Sequence, residues 1–267
     1  MVNRAPADGT FPPSRTIGWG GIFYGYLLRV SFTGGDVKVA RLHPFTLSPG
    51  EARRLQGELA PRVVPGPSLD LSRVRYVAGA DVSTQGERGY ATVAVLSFPE
   101  LSLVEVRGFE APLEFPYVPG LLAFREIPLV VGALEQIKSN VEAIVIDGHG
   151  LAHPRGLGLA SHIGLFLDVP TVGCAKSRLV GEHKEPSREK GSVTDLVYRQ
   201  KVVGRVVRTR TGISPVYVSI GNRIDLDGAV HLVLACCTKY RLPETTRHAH
   251  NAANKLRRGE ASDVISG

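Results

Sequence analysis

At 267 residues, with 43% hydrophobic side chains and 30 glycines, the chain is long enough for one substantial core, and one α/β domain is favoured over two. A net charge of +7 favours a polyanionic partner, and the excess is uneven: residues 176–210 hold ten Lys and Arg against four Asp and Glu. Three cysteines (Cys174, Cys236, Cys237) form no zinc spacing or disulfide framework, no apolar run approaches the roughly 20 residues of a membrane helix, and the N-terminus lacks a secretion signal, so a soluble, cytoplasmic protein is expected.

Residues 1–45 are rich in Pro, Gly and basic side chains without sustained periodicity, and read as an N-terminal extension ordered only in part. Regular structure is expected from Leu47. In the stretch LSPGEARRLQGELAPRVV, Ser48 and Pro49 supply an N-cap and a first-turn proline, and Leu55, Leu59 and Val63 recur at helical spacing. Three strand-like runs follow at 74–84, 91–98 and 103–110, separated by turn signals, which is the pattern of an antiparallel meander. Next come a helix over about 122–138, a buried strand at 143–147, a glycine-rich stretch leading into a helix at 161–167, and a short strand at 169–176. Later strands are expected at 192–199, 205–210 and 215–221, with a final amphipathic helix near 226–238. Three antiparallel strands, a crossover helix and a parallel strand imply a mixed sheet flanked by helices.

Three carboxylates stand at the edges of apolar segments. Asp81 ends VRYVAGAD, Glu126 lies in AFREIPLVVGALEQI, and Asp147 closes VEAIVID before a glycine-rich turn. A buried charge without a partner is costly, so such groups meet a cation, a hydrogen-bond network or a metal ion. Any one of them alone reads as a strand-end residue or helix cap. A cluster of three points to hard divalent ions, which prefer oxygen ligands and bind phosphates in the same shell. If the first strand neighbours the 143–147 strand, Asp81 and Asp147 lie side by side, with Glu126 arriving from the helix between them. The reaction class would then be metal-assisted phosphodiester hydrolysis.

Several stretches carry a resemblance: AGADVS around Asp81, FPYVPG from Phe115, FREIP around Glu126, DGHGLAHPRGLGLASHIG from Asp147, GCAKSRLVG around Lys176, PVYVSIGNRIDL from Pro215 and RLPETTRHAH ending at His250. Together they span about residues 47–255, and the chain resembles the endonuclease V family. The resemblance implies a ribonuclease H-like α/β fold in a single catalytic domain over 46–260, followed by a tail at 261–267. It implies Asp81, Asp147 and Glu126 as ligands of Mg²⁺, with Mn²⁺ as a substitute. It further implies His250 and Lys176 as catalytic partners acting on water and phosphate. Tyr117, beside Pro119 and Gly120, matches an aromatic wedge that enters the base stack. Gly120, Gly148 and Gly150 would bring backbone amides close to an extruded base, and His149 and His153 would touch phosphate or base edge. His162 reads equally as a core histidine.

By the same resemblance the expected activity is a DNA-repair cut at the second phosphodiester bond 3′ to deoxyinosine, leaving 3′-hydroxyl and 5′-phosphate ends, performed by a monomer. Cleavage of inosine-containing RNA and inosine binding without catalysis are the alternatives. Two departures stand out: Asn222 occupies a position where many members carry His, and the N-terminal extension has no evident family counterpart.

Overall fold

A computed structural model describes residues 37–260. Eight strands form one mixed sheet: β1 (Tyr76–Gln85), β2 (Arg88–Ser97), β3 (Leu103–Pro112), β4 (Ala143–Ile146), β5 (Thr171–Ala175), β6 (Val193–Tyr198), β7 (Lys201–Val207) and β8 (Val216–Asn222). Their order across the sheet is β3-β2-β1-β4-β5-β8-β7-β6. The meander β1-β2-β3 is antiparallel, β4 runs parallel to β1, and β5 runs parallel to β4. β8, β7 and β6 then complete the sheet antiparallel. The expected mixed sheet is present.

Among the described residues there are five α-helices, α1 (Pro49–Leu59), α2 (Leu122–Leu134), α3 (Leu159–Phe166), α4 (Leu226–Ala235) and α5 (Glu244–Arg257), of which α2 to α5 pack on the sheet. α1 begins as its sequence dictates. Ser48 Oγ accepts from Glu51 N, Glu51 returns a bond to the Ser48 amide, and Pro49 occupies the first turn. On one face of the sheet, α2 and α3 bury Ile127, Val130, Leu134, Ile163 and Phe166 against Val93, Val95, Ile144 and Ile146. On the other, Leu232 and Val233 of α4 and Ala249 of α5 pack with Val77, Val145, Val172 and Val218. β4 and β5 are buried throughout, as expected of parallel strands covered on both faces.

Two helices end earlier than their sequence suggests. α2 stops at Leu134 and α4 at Ala235, each closed by a capping residue in right-handed conformation. The chain does not finish with α4: α5, read from sequence as part of a motif and not as a helix, follows and packs on β1 and β2.

Of the N-terminal extension, residues 1–36 lie outside the described residues, as does the 261–267 tail. The part from 37 to 45 is packed. Val37 enters the core, Val39 bridges to Leu167, and Ala40 N donates to Phe166 O at 2.7 Å. His43 Nε2 lies 2.8 Å from His162 Nε2 among Phe45, Phe124 and Phe166, so His162 is a core histidine. Asn222 is also structural: its Oδ1 accepts from Val64 N at 3.0 Å and its Nδ2 donates to Gly164 O at 2.8 Å.

Candidate active site

Register brings the first two carboxylates together. Ala80 of β1 pairs in parallel with Ile146 of β4, and Asp147 N donates to Ala80 O at 3.3 Å, so the residue after each, Asp81 and Asp147, emerges at the same level. Glu126, one turn into α2, comes in from the face that α2 covers. Its carboxyl is pushed up to about 8, first by burial and then by the charges of Asp81 and Asp147. Burial and the neighbouring Asp147 likewise raise Asp81. Asp81 and Glu126 therefore sit in one electrostatic neighbourhood with Asp147, and there the ionised forms of the first two are disfavoured.

Protein cations meet part of that charge. Lys176, just after β5, forms an ion pair with Asp147. Burial works against its charge, but Asp147 and then Asp81 outweigh it and hold the ammonium above its ordinary value. Lys176 is kept in place from behind: Arg241 Nη2 donates to the Lys176 carbonyl at 2.5 Å and to that of Pro215 at 2.7 Å. On the opposite side His250 Nδ1 donates to Asp81 Oδ2 at 2.7 Å. Asn254, one turn along α5, donates its Nδ2 to His250 Nε2 at 3.0 Å and so fixes the ring.

The donor chemistry of the site fits a hard divalent ion: three carboxylates, a surplus of negative charge, and solvent access beside an exposed histidine. Among the described residues no three His, Cys, Asp or Glu side chains are already closed around one point. The physical reason is visible, since Asp147 is turned to Lys176 and Asp81 to His250.

The remaining expected residues are placed in different ways. His149 Nε2 lies 3.0 Å from Ser177 O, and burial lowers the ring below its ordinary value. His153 is buried and lowered to about 4, by desolvation first and Arg155 second, so it is neutral at physiological pH. The amides of Gly148 and Gly150 are used internally, donating to Ile146 O at 2.9 Å and Ser219 Oγ at 2.8 Å. Gly150 is required by packing instead: a Cβ there would collide with the Ile220 carbonyl. Gly120 has φ 77°, in the left-handed region. It closes the 115–120 loop, which includes Pro119 and presents Tyr117 at 73% exposure. A tyrosine that exposed is not serving the core.

Sequence reading passed over Asn254, Arg241, Gln56 and Arg155 as contributors. Asn254 had a signal, its four-residue spacing from His250, which places the two on one helix face. Gln56 also had one, a polar residue between Ala52 and Leu59 on the buried face of α1. Arg241 had none, because its partners are main-chain carbonyls far away in sequence.

Comparison with known proteins gives a consistent picture. A family model described as Endonuclease V matches residues 57–251. A protein named Endonuclease V from Dehalococcoides mccartyi is 50% identical over 223 residues, which is 83% of this chain and 99% of the relative. The crystal structure of the endonuclease V from Streptomyces avermitilis aligns with TM-score 0.76 and 39% identity, over 82% of this chain and 96% of that one. The Ciona intestinalis endonuclease V, solved in complex with a 24mer DNA containing an inosine followed by a ribo-adenosine, aligns with TM-score 0.70 and 28% identity, over 79% of this chain and 98% of that one.

Proposed function

The chain belongs to the endonuclease V family, and from that premise we propose that it is a divalent-metal-dependent endonuclease that recognises deoxyinosine in DNA. The cut falls at the second phosphodiester bond 3′ to the lesion and leaves 3′-hydroxyl and 5′-phosphate ends. The observation that carries this reading is the β1/β4 register, which sets Asp81 beside Asp147, with Glu126 of α2 near enough to feel the charge of both. Support for the substrate comes from the inosine-containing DNA bound by the Ciona relative and from the basic balance of this chain.

Asp81, Asp147 and Glu126 would hold Mg²⁺, with Mn²⁺ as a substitute, and such an ion when bound supplies Lewis-acid charge to the phosphate and makes water more acidic. The protein's own groups divide the remaining work. Lys176, once Asp147 turns to a metal, is free to place its ammonium on a non-bridging phosphate oxygen, where charge develops. His250 has both ring nitrogens engaged, Nδ1 by Asp81 and Nε2 by Asn254, and it can hold a water or accept its proton once Nε2 exchanges Asn254 for that water. Tyr117 fills the gap in the stack left by the extruded base, offsetting part of the unstacking cost of a few kcal/mol. His153, neutral and buried with its Nδ1 accepting from Arg155 N at 3.2 Å, supports Arg155 from within and presents no free edge to the base. The protein acts in this reading as a cytoplasmic monomer, and among the described residues no helix is long and apolar enough to cross a membrane.

The test is a gel assay of the purified protein with Mg²⁺ on a duplex bearing one deoxyinosine, beside an undamaged duplex, a DNA with inosine followed by ribo-adenosine, and an inosine-containing RNA. A metal-dependent nick two bonds 3′ to deoxyinosine supports the proposal. Cleavage of RNA alone would assign the protein to RNA processing, and binding without cleavage would mark an inactive binder.

A further inference from the structure

The 115–120 loop is held at both ends through its carbonyls. Arg125 Nη1 donates to Phe115 O at 2.6 Å. At the other end the Gly120 carbonyl takes Arg155 Nη2 at 2.6 Å and Gln56 Nε2 at 3.2 Å. Gln56 is 1% exposed, and its whole amide is engaged: Oε1 accepts from Arg155 Nε, and Nε2 also donates to Leu157 O at 2.7 Å. Packing alone would be served by Leu or Met here, because a buried amide is tolerated only when its bonds are made. Gly120 itself is called for by its left-handed φ of 77°.

We propose that Gln56 and Arg155 are positioning residues for the loop that carries Tyr117. They orient the Gly120 peptide in its left-handed conformation and so fix the direction of the tyrosine before DNA arrives. This rests on reading Tyr117 as the wedge. A loop ordered in advance loses less conformational entropy on insertion, so the clamp lowers the cost of opening a stacked, paired inosine and leaves the phosphodiester step alone. It also couples α1, remote from the carboxylates in sequence, to lesion recognition.

The experiment compares single-turnover cleavage of a paired deoxyinosine duplex with that of the same strand left single, where the base is already largely unstacked. The variants are Arg155→Lys, which keeps the charge but loses the fork spanning Gln56 and Gly120, and Gln56→Met, which keeps the volume but loses both donors. The proposal expects the duplex rate to fall about tenfold or more while the single-strand rate changes less than about twofold. It also expects the losses of Tyr117→Ala and Arg155→Lys on duplex to be non-additive in the double variant. Equal loss on both substrates, or failure of both variants to fold, would make the pair a purely structural element and overturn the proposal. Absence of inosine cleavage by the unaltered protein would instead remove the functional reading beneath it.

Discussion

His250 Nδ1 lies 2.7 Å from Asp81 Oδ2, a bond between helix α5 and strand β1 across 169 residues of sequence. It is possible because α5 lies close against the sheet at Gly79, where a Cβ would strike the Thr245–Thr246 peptide. Small residues carry this contact: Ala249, Ala252 and Ala253 are the buried alanines of the helix. The Asp81–His250 contact thus depends on a glycine two residues before the carboxylate.

Gly79→Ala is expected to push α5 outward, destabilising the fold by about 1–3 kcal/mol and separating His250 from Asp81. Thermal melting together with kcat on a deoxyinosine duplex checks this. A loss of stability with kcat unchanged would show that α5 does not set the histidine.

Stability in the absence of metal should fall as pH rises. Glu126 is shifted from 4.5 to about 8 in the fold, so its contribution is fully present below the unfolded value and is lost as pH passes through about 8. The raised Asp81 acts in the same direction. Adding Mg²⁺ is expected to raise Tm more near pH 9 than near pH 6, roughly speaking, because metal binding must displace the bound proton. Glu126→Gln should flatten the metal-free pH slope and remove most of the Mg²⁺-dependent gain. A variant that keeps the wild-type slope would assign the titration elsewhere.

Lys176→Met should lower kcat by about 10²–10³ without raising KM in proportion, since its ammonium is assigned to charge that develops in the transition state. Lys176→Arg should recover part of the loss. A variant changed only in KM would make Lys176 a ground-state contact.

Tyr117→Ala should leave the unfolding free energy within about 0.5 kcal/mol of wild type, as expected of an exposed side chain. It should weaken binding to deoxyinosine duplex relative to undamaged duplex, measured by fluorescence anisotropy. Undiminished discrimination would place lesion recognition on other residues.

Much of this fold was legible because hydrophobic pattern and punctuation agreed. The meander 74–110 has strong apolar runs broken by turn signals, and Ser48-Pro49 announces α1. The carboxylates were legible for the same reason: charges at the ends of apolar strands stand out. α5 was not, since ETTRHAHNAANKLR packs through alanines and presents no stripe of large apolar residues. The packing of 37–45 was hidden because a segment that docks by one bridge and a few side chains leaves no periodicity. The internal use of the Gly148 and Gly150 amides was equally invisible, as both bonds depend on how the strands come together.

In the proposed function Asp147, with Asp81 and Glu126, holds the metal on which cleavage depends. The most direct measurement is single-turnover cleavage of a deoxyinosine duplex by wild type and Asp147→Ala across a Mg²⁺ titration, with lesion binding measured in parallel. The wild type is expected to give a Mg²⁺-dependent nick, and the variant to bind the lesion without cutting at any Mg²⁺ concentration. Cutting by Asp147→Ala at the wild-type rate would contradict that role.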